Sequence, residues 1–324
     1  MKTRKEQILW TIYACVLVFL FLLSSTDLII KEREIEVYPI SVIIEDSKDD
    51  YYVNFKKGMD QAAVELNADV SFITLYESGS LSQQQDMIVR EQQDGAKALV
   101  VVPVEEKAVS DMLAENRLGG PLVLYKTGLS GEKVSATVST DYYAMGQTLA
   151  RQVIAGQPPE LPVYLFGGAT RDEVSVQVED GVRTVLEEAG YHTVSYIRQG
   201  DDFFRKTIEE LVYPGSQKVV IVALDPESLT ETAAILSDSS VYASYVGGLY
   251  GRGTTIPILN YLDRRIISGI CVTDEFGAGY LTVKKAVEAI TGRGIQEHVV
   301  LDSHYITRED IRRPEYEKML YPIE

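Results

Sequence analysis

The stretch that decides the fold is ALVVVPVEEKAVSDMLAENRLGGPLVLYK, residues 98–126. It opens on an unbroken apolar run, passes through a charged segment of helical period, and closes on a second β-rich run after Gly119, Gly120 and Pro121. A strand that is apolar on both faces is one that helices cover on both sides, so ALVVV reads as part of a parallel sheet. Strand, helix and strand in that order make one βαβ unit.

The same beat runs in both directions from there. PISVIIE (39–45) and VSFITLY (70–76) precede it, at a spacing of roughly thirty residues. QPPELP, residues 157–162, interrupts the pattern with three prolines. It then restarts: PVYLFGG (162–168), HTVSYIR (192–198), KVVIVAL (218–224), YASYVGG (242–248) and RIISGICV (265–272). A (β/α)₈ barrel would show eight strands and no break, whereas the expected strands number nearer ten. Two successive α/β sheets imply two lobes.

The N-terminus is of another kind. Lys2, Arg4 and Lys5 precede an uncharged apolar run from Ile8 to Leu23, and Asp27 is the next ionised residue after it. A basic flank before such a run marks a transmembrane anchor or a secretory signal, with the positive end in the cytoplasm. The apolar character resumes at LII, residues 28–30, which favours an uncleaved anchor over cleavage near Ser24–Thr26. In both cases the rest of the chain is expected outside the cytoplasm.

With Lys and Arg at 31 against Asp and Glu at 48, the net charge is −17, a surface that repels nucleic acid and anionic membranes. Cys15 lies in the apolar run, so Cys271 has no intrachain partner for a disulfide in the exported part. His192, His298 and His304 are scattered without a metal-ligand spacing. No cofactor or metal is expected. VGGLYGRGTT (246–255) has the glycines of a phosphate loop but lacks the lysine of GxxxxGK[ST].

From residue 39 to about 305 the chain resembles the periplasmic sugar-binding proteins of the ribose-binding type, with the type I periplasmic binding protein fold shared by the effector domain of the lactose-repressor family. Four stretches carry the resemblance: SVIIEDSKDDYYVNFKKGMDQAAVELNADV (41–70), DGAKALVVVPVEEKAV (94–109), STDYYAMGQTLA (139–150) and EDGVRTVLEEAGY (179–191). The resemblance implies two Rossmann-like parallel-sheet lobes joined by a three-segment hinge, here preceded by one N-terminal transmembrane helix. The expected division is 1–34 for the anchor, 35–140 plus 274–302 for lobe 1, and 141–273 plus 303–324 for lobe 2. It also implies a small ligand sandwiched between aromatic rings, its hydroxyls gripped by charged side chains. Ligands in open parallel sheets bind beyond the carboxyl ends of the strands, so the loops there supply the candidates.

Asp49 and Asp50 precede a helix, where one caps the free N–H groups, while the resemblance gives Asp49 a polar contact with ligand. By the same resemblance Tyr51 and Tyr52 are stacking aromatics, although Tyr52 also falls on the apolar stripe of its helix with Phe55 and Met59. Tyr125 and Lys126 stand where the family carries an Asp-Arg pair; a lysine cannot form the planar fork of an arginine. Arg171 and Asp172 follow GGAT, at the mouth of a strand, where turn chemistry is the rival reading. Phe203 resembles the second lobe's stacking aromatic and is equally well a core phenylalanine. Asp225 either reaches the cleft or caps the helix beginning at PESL. Leu249 or Tyr250 takes the place of the family's acidic cleft residue. Asp274 lies where the third cleft segment passes, with capping as its alternative, and Asp141 is expected to fix the hinge.

With the N-terminal segment, the resemblance implies a membrane-tethered solute-binding protein that performs no chemistry, closes on a small polar ligand of sugar type, and works with an ABC permease or a sensor histidine kinase. The alternative is a glycoside-processing enzyme in which Asp46, Asp49 and Asp225 converge.

Overall fold

A computed structural model describes residues 4–25, 36–46, 52–115, 118–129, 131–169, 172–294 and 296–321. The chain divides into two compact units, Met1–Val37 and Tyr38–Glu324. The first is the helix α1 (Arg4–Ser25), whose apolar side chains are exposed along its length. At ~1.5 Å per residue it spans about 33 Å, against a hydrocarbon core of about 30 Å. Its Arg4–Leu23 portion has the length and composition to cross a membrane, a test that signal sequences also pass.

The second unit contains two six-stranded sheets. In the first sheet the order is β11-β5-β4-β3-β1-β2, from β1 (Tyr38–Ile43), β2 (Ala68–Ile73), β3 (Ala98–Val101), β4 (Leu122–Tyr125), β5 (Ala136–Thr140) and β11 (Glu297–Leu301), all parallel. In the second the order is β12-β10-β9-β8-β6-β7, from β6 (Val163–Gly167), β7 (Thr193–Ile197), β8 (Val219–Ala223), β9 (Val246–Arg252), β10 (Gly269–Thr273) and β12 (Ser303–Ile306). Only β12 runs antiparallel, against β10. Each sheet is doubly wound, and its order reverses between the first and third of its own strands, which opens a crevice at their carboxyl ends. Strands such as β3, β4 and β8 are buried at every residue, as expected with helices on both faces.

The chain passes between the sheets three times. It leaves β5 for α5 (Tyr142–Gly156), leaves β10 for α11 (Glu275–Ile290), and crosses from β11 to β12 through Asp302. The helix that follows each of the first two passages packs against the opening helix of the lobe it enters: α5 on α6 (Glu173–Glu188), and α11 on α2 (Val53–Leu66). Both crossings are closed by glycine. A Cβ added at Gly279 would lie 2.0 Å from the Phe55 carbonyl oxygen, and one at Gly58 1.9 Å from that of Phe276. In the other lobe Gly146 meets the Val178 oxygen at 2.2 Å and Gly181 that of Tyr143 at 2.1 Å. The Asp-x₄-Gly spacing seen at residues 141–146 recurs at 274–279, and in both the aspartate caps its helix by accepting the N–H three residues on.

Two regions depart from the sequence pattern. YAS in YASYVGG lies in the short helix α9 (Ser240–Ser244), and the strand is VGGLYGR. Its glycines are a packing requirement: a Cβ at Gly247 would sit 2.8 Å from the Gln157 side chain, and one at Gly251 2.9 Å from the Ala223 oxygen. The phosphate-loop reading of this segment ends there. The strands β5, β11 and β12 complete the sheets from segments too rich in Ser, Thr, His or charge to read as apolar runs.

Backbone contact at the crossings leaves no room for relaxation by a side chain. Gly279→Val is expected to cost on the order of 3 kcal/mol or more in urea unfolding, against under about 0.5 kcal/mol for Gly128→Ala, which meets nothing within 4 Å. Equal effects of the two substitutions would show that the close crossing is not limiting.

Candidate functional site

The strand ends of both sheets open on one cavity of about 390 Å³. From the first sheet come Glu45 and Asp46 after β1, Val104 beyond β3, and Lys126 after β4; from the second, Gly168 after β6, Arg198 after β7, Asp225 after β8, and Arg252 at the end of β9. These are the positions at which an open α/β sheet binds ligands.

Lys126 ends its strand in the left-handed region, with φ of 59°, at a cost of about 1–2 kcal/mol for a side chain with a Cβ. The turn directs its ammonium group onto Tyr52: Nζ donates to the Tyr52 hydroxyl at 2.9 Å and stands 4.0 Å from the ring centroid. The Tyr52 hydroxyl donates in turn to the Glu45 carboxylate, 2.6 and 2.8 Å from its two oxygens. Burial raises the Glu45 pKa, opposed by the Lys126 charge and the Tyr52 hydrogen bond. Burial, reinforced by Glu45, drives the Tyr52 hydroxyl well above its ordinary range, so it remains a donor.

Behind this layer the Tyr125 hydroxyl donates to one Glu275 oxygen at 2.6 Å, and the Thr273 hydroxyl to the other at 2.9 Å. Glu275 therefore ties β4 of one sheet to the end of β10 in the other, beside the second passage between lobes. Burial and Glu275 push the Tyr125 pKa far up. The Tyr125 ring is stacked on Phe55, with centroids 4.8 Å apart, in the core of the first lobe.

On the opposite wall Asp225 is saturated with donors. It accepts from the Ser228 N–H and hydroxyl at 2.7 Å each, capping α8 (Pro226–Asp238), and from the Gly168 N–H at 2.8 Å. Asp172 caps α6 through the Ser175 N–H at 2.6 Å. The guanidinium of Arg198 lies 2.5 Å from Glu231 and 3.6 Å from Glu227, against the face of Phe204. Arg252 donates from Nε to the Leu224 carbonyl at 2.7 Å, and its Nη2 is 3.4 Å from the Ser175 hydroxyl.

Of the residues singled out from the sequence, Asp46, Tyr52, Lys126, Asp172 and Asp225 line the cavity together. Tyr52 does so with its hydroxyl: the ring is 1% exposed, packed against Phe55 and Phe72 and covered by Lys126, so it offers no open face for stacking. Tyr125 supports the site from behind. Asp274 and Asp141 are the caps of α11 and α5, at the passages between lobes, and neither is on the cavity wall. Phe203 packs beside Phe204 on the second lobe's core, the bland of its two readings. Tyr250 is corrected outright. It is buried in the core of the second lobe, its hydroxyl accepting from Gln157 at 3.2 Å, because the strand continues two residues further and presents Arg252 instead. Leu249 is likewise core. Asp49, Asp50, Tyr51 and Arg171 lie outside the described residues. Glu45, Arg198 and Arg252 were not singled out. All three stand at the ends of strands, whereas Lys126 is pointed to by the family resemblance.

Two doubly wound lobes that open their strand ends on one polar cavity define the clamshell class of solute-binding folds. Residues 40–294 match the periplasmic binding protein domain, and the chain belongs to that family. An ABC transporter solute binding protein of Bacillus halodurans with bound myo-inositol is similar over 87% of this chain and 98% of its own, with a TM-score of 0.75 and 19% identity. A carbohydrate transporter solute binding protein of Agrobacterium radiobacter, in complex with D-arabinose, aligns over 89% and 100%, with TM-score 0.75 and 17% identity. The complex of the TorS sensor domain with TorT, in the absence of ligand, contains a chain matching over 88% and 98%, again with TM-score 0.75 and 17% identity. At such identities the likeness is one of fold. No curated protein matches the chain.

Because the folded chain raises the Glu45 pKa, this residue's contribution to stability is complete below the ordinary carboxylate range and is lost as pH rises through the raised value. Glu45→Gln removes that loss while keeping an acceptor for Tyr52. Its urea midpoint is therefore expected to gain on the wild type as pH is raised from about 4 to 7. A variant that instead falls progressively behind over this range would mean that Lys126 and Tyr52 outweigh burial.

Proposed function

We propose that this chain is an extracytoplasmic receptor, held in the membrane by α1, that closes its two lobes on a small polar ligand and presents the closed form to a membrane partner. The observation that carries the reading is the cavity walled by charged strand ends from both sheets, since only a ligand that touches both walls favours closure. Lobe 1 is assigned to residues 35–140 and 274–302, and lobe 2 to 141–273 and 303–324. Tyr52, Lys126 and Asp225, joined by Glu45, Arg198 and Arg252, contact the ligand, and Asp141 and Asp274 fix the ends of the hinge.

The D-arabinose and myo-inositol bound by two similar proteins support a ligand of sugar or polyol type. No chemistry on the ligand is part of this reading. The partner is a sensor kinase or an ABC permease. Retention of an anchor favours the sensor, and the TorS–TorT complex gives an example of this fold beside a sensor domain.

A screen of residues 36–324 against sugars and polyols should find a ligand that raises Tm by about 5 °C or more at saturation. The same ligand should reduce the radius of gyration in solution scattering. Stabilisation without compaction would sink the clamshell closure, and a panel without any hit would sink the ligand class. For the tether, full-length protein is expected to stay with membranes through an alkaline carbonate wash. Recovery of a soluble form lacking residues 1–25 would identify the helix as a cleaved signal.

A further inference from the structure

Three cavities open where the strand ends of the two sheets face one another, of about 390, 40 and 30 Å³. Lys126, from the first sheet, and Arg252, from the second, line all three. The two cations thus look into a common space. Neither has a carboxylate oxygen within 4.0 Å among the described residues. Lys126 is satisfied by a hydroxyl and the face of an aromatic ring. Arg252 is pinned through Nε to a carbonyl, with one long contact at Nη2 and none at Nη1 among the described residues. Arg198, by contrast, is already matched by Glu227 and Glu231.

The acids on the walls are committed elsewhere. Glu45 is held by the Tyr52 hydroxyl, Asp46 by the Ser78 hydroxyl, and Glu227 lies by Arg198. Asp172 and Asp225 sit at the positive ends of α6 and α8, which offset part of their charge. Aromatic stacking is not on offer to a ligand from Tyr52, whose ring is covered. What the floor of the cleft supplies without a direct ion pair is positive charge from both sides. In the absence of ligand these like charges resist approach of the lobes, and an anion between them converts that repulsion into a bridge.

Resting on the reading of the chain as a two-lobed receptor for sugar-like ligands, we infer that its ligand is a sugar acid, with a carboxylate held jointly by Lys126 and Arg252 across the cleft. A guanidinium and an ammonium together suit one carboxylate: the first offers a planar pair of donors, the second a point charge.

The test is calorimetric titration of the full-length chain in nanodiscs with matched pairs: D-galacturonate and D-galactose, D-glucuronate and D-glucose, D-gluconate and sorbitol. At least one acid is expected to bind 10-fold or more tightly than its neutral partner, with the margin shrinking as salt is added. Lys126→Met should reduce that margin to about 3-fold or less, the acid losing far more affinity than its neutral partner, and Arg252→Gln should do the same, with unfolding midpoints measured for each variant. Should Arg252→Gln fail to fold through loss of its carbonyl anchor, Lys126→Met alone decides. A neutral compound that binds as tightly as its acid overturns the inference and leaves the receptor reading intact. A margin that survives the Lys126 substitution also overturns it. If no member of any pair binds, the sugar-like ligand of the receptor reading falls, and this inference falls with it.

Discussion

The whole arrangement depends on backbone touching backbone. Where α11 meets α2, and where α5 meets α6, a glycine on each helix lets the carbonyl of the other approach within the space a methyl group would occupy. Each of α5 and α11 has just crossed from the other lobe, and its first residue is fixed by an aspartate cap. The close crossings therefore do two things together. They build the cores, and they set the direction in which β5 and β10 leave their sheets, which in turn decides that both sets of strand ends face the same space.

Within that space the chemistry follows from a simple rule of placement. Strands buried on both faces are apolar until their last residue, and the residue that ends them is the first that can carry charge without a large desolvation cost. Lys126 follows such a strand, Glu45 and Arg252 stand at the ends of β1 and β9, and Arg198 follows the edge strand β7. Glu45 and Lys126, beyond β1 and β4 with β3 between them, would cancel if they met. Here Tyr52 stands between Glu45 and Lys126, bonded to both, and keeps the ammonium group turned towards the cavity.

The α/β rhythm was legible because a doubly covered strand has a composition that no exposed segment shares; ALVVV and KVVIVAL admit little else. The strands that escaped notice are those whose burial rests on small or polar residues: ATVST of β5 is buried throughout, with Val138 as its sole branched apolar residue. In the site, Tyr52, Lys126 and Asp225 could be placed because each adjoins a strand or helix end that the pattern fixes to within a residue. Tyr250 could not, since glycines packed against Gln157 and Ala223 look like a loop when only their identity is known. Phe203 stayed open for another reason: an aromatic residue next to a helix start has the same signature whether its ring turns inward or outward, and its packing beside Phe204 is visible only in three dimensions.

The reciprocal crossings carry a consequence for biosynthesis. Helix α2 emerges early, yet the surface that completes it, Gly279 and its neighbours on α11, is made only after strands β6 to β10 of the second sheet. Neither sheet is assembled from one continuous piece of chain, so an incomplete chain leaves unfinished cores and exposed strand edges. The polypeptide thus reaches its native shape late, by long-range docking of its last third.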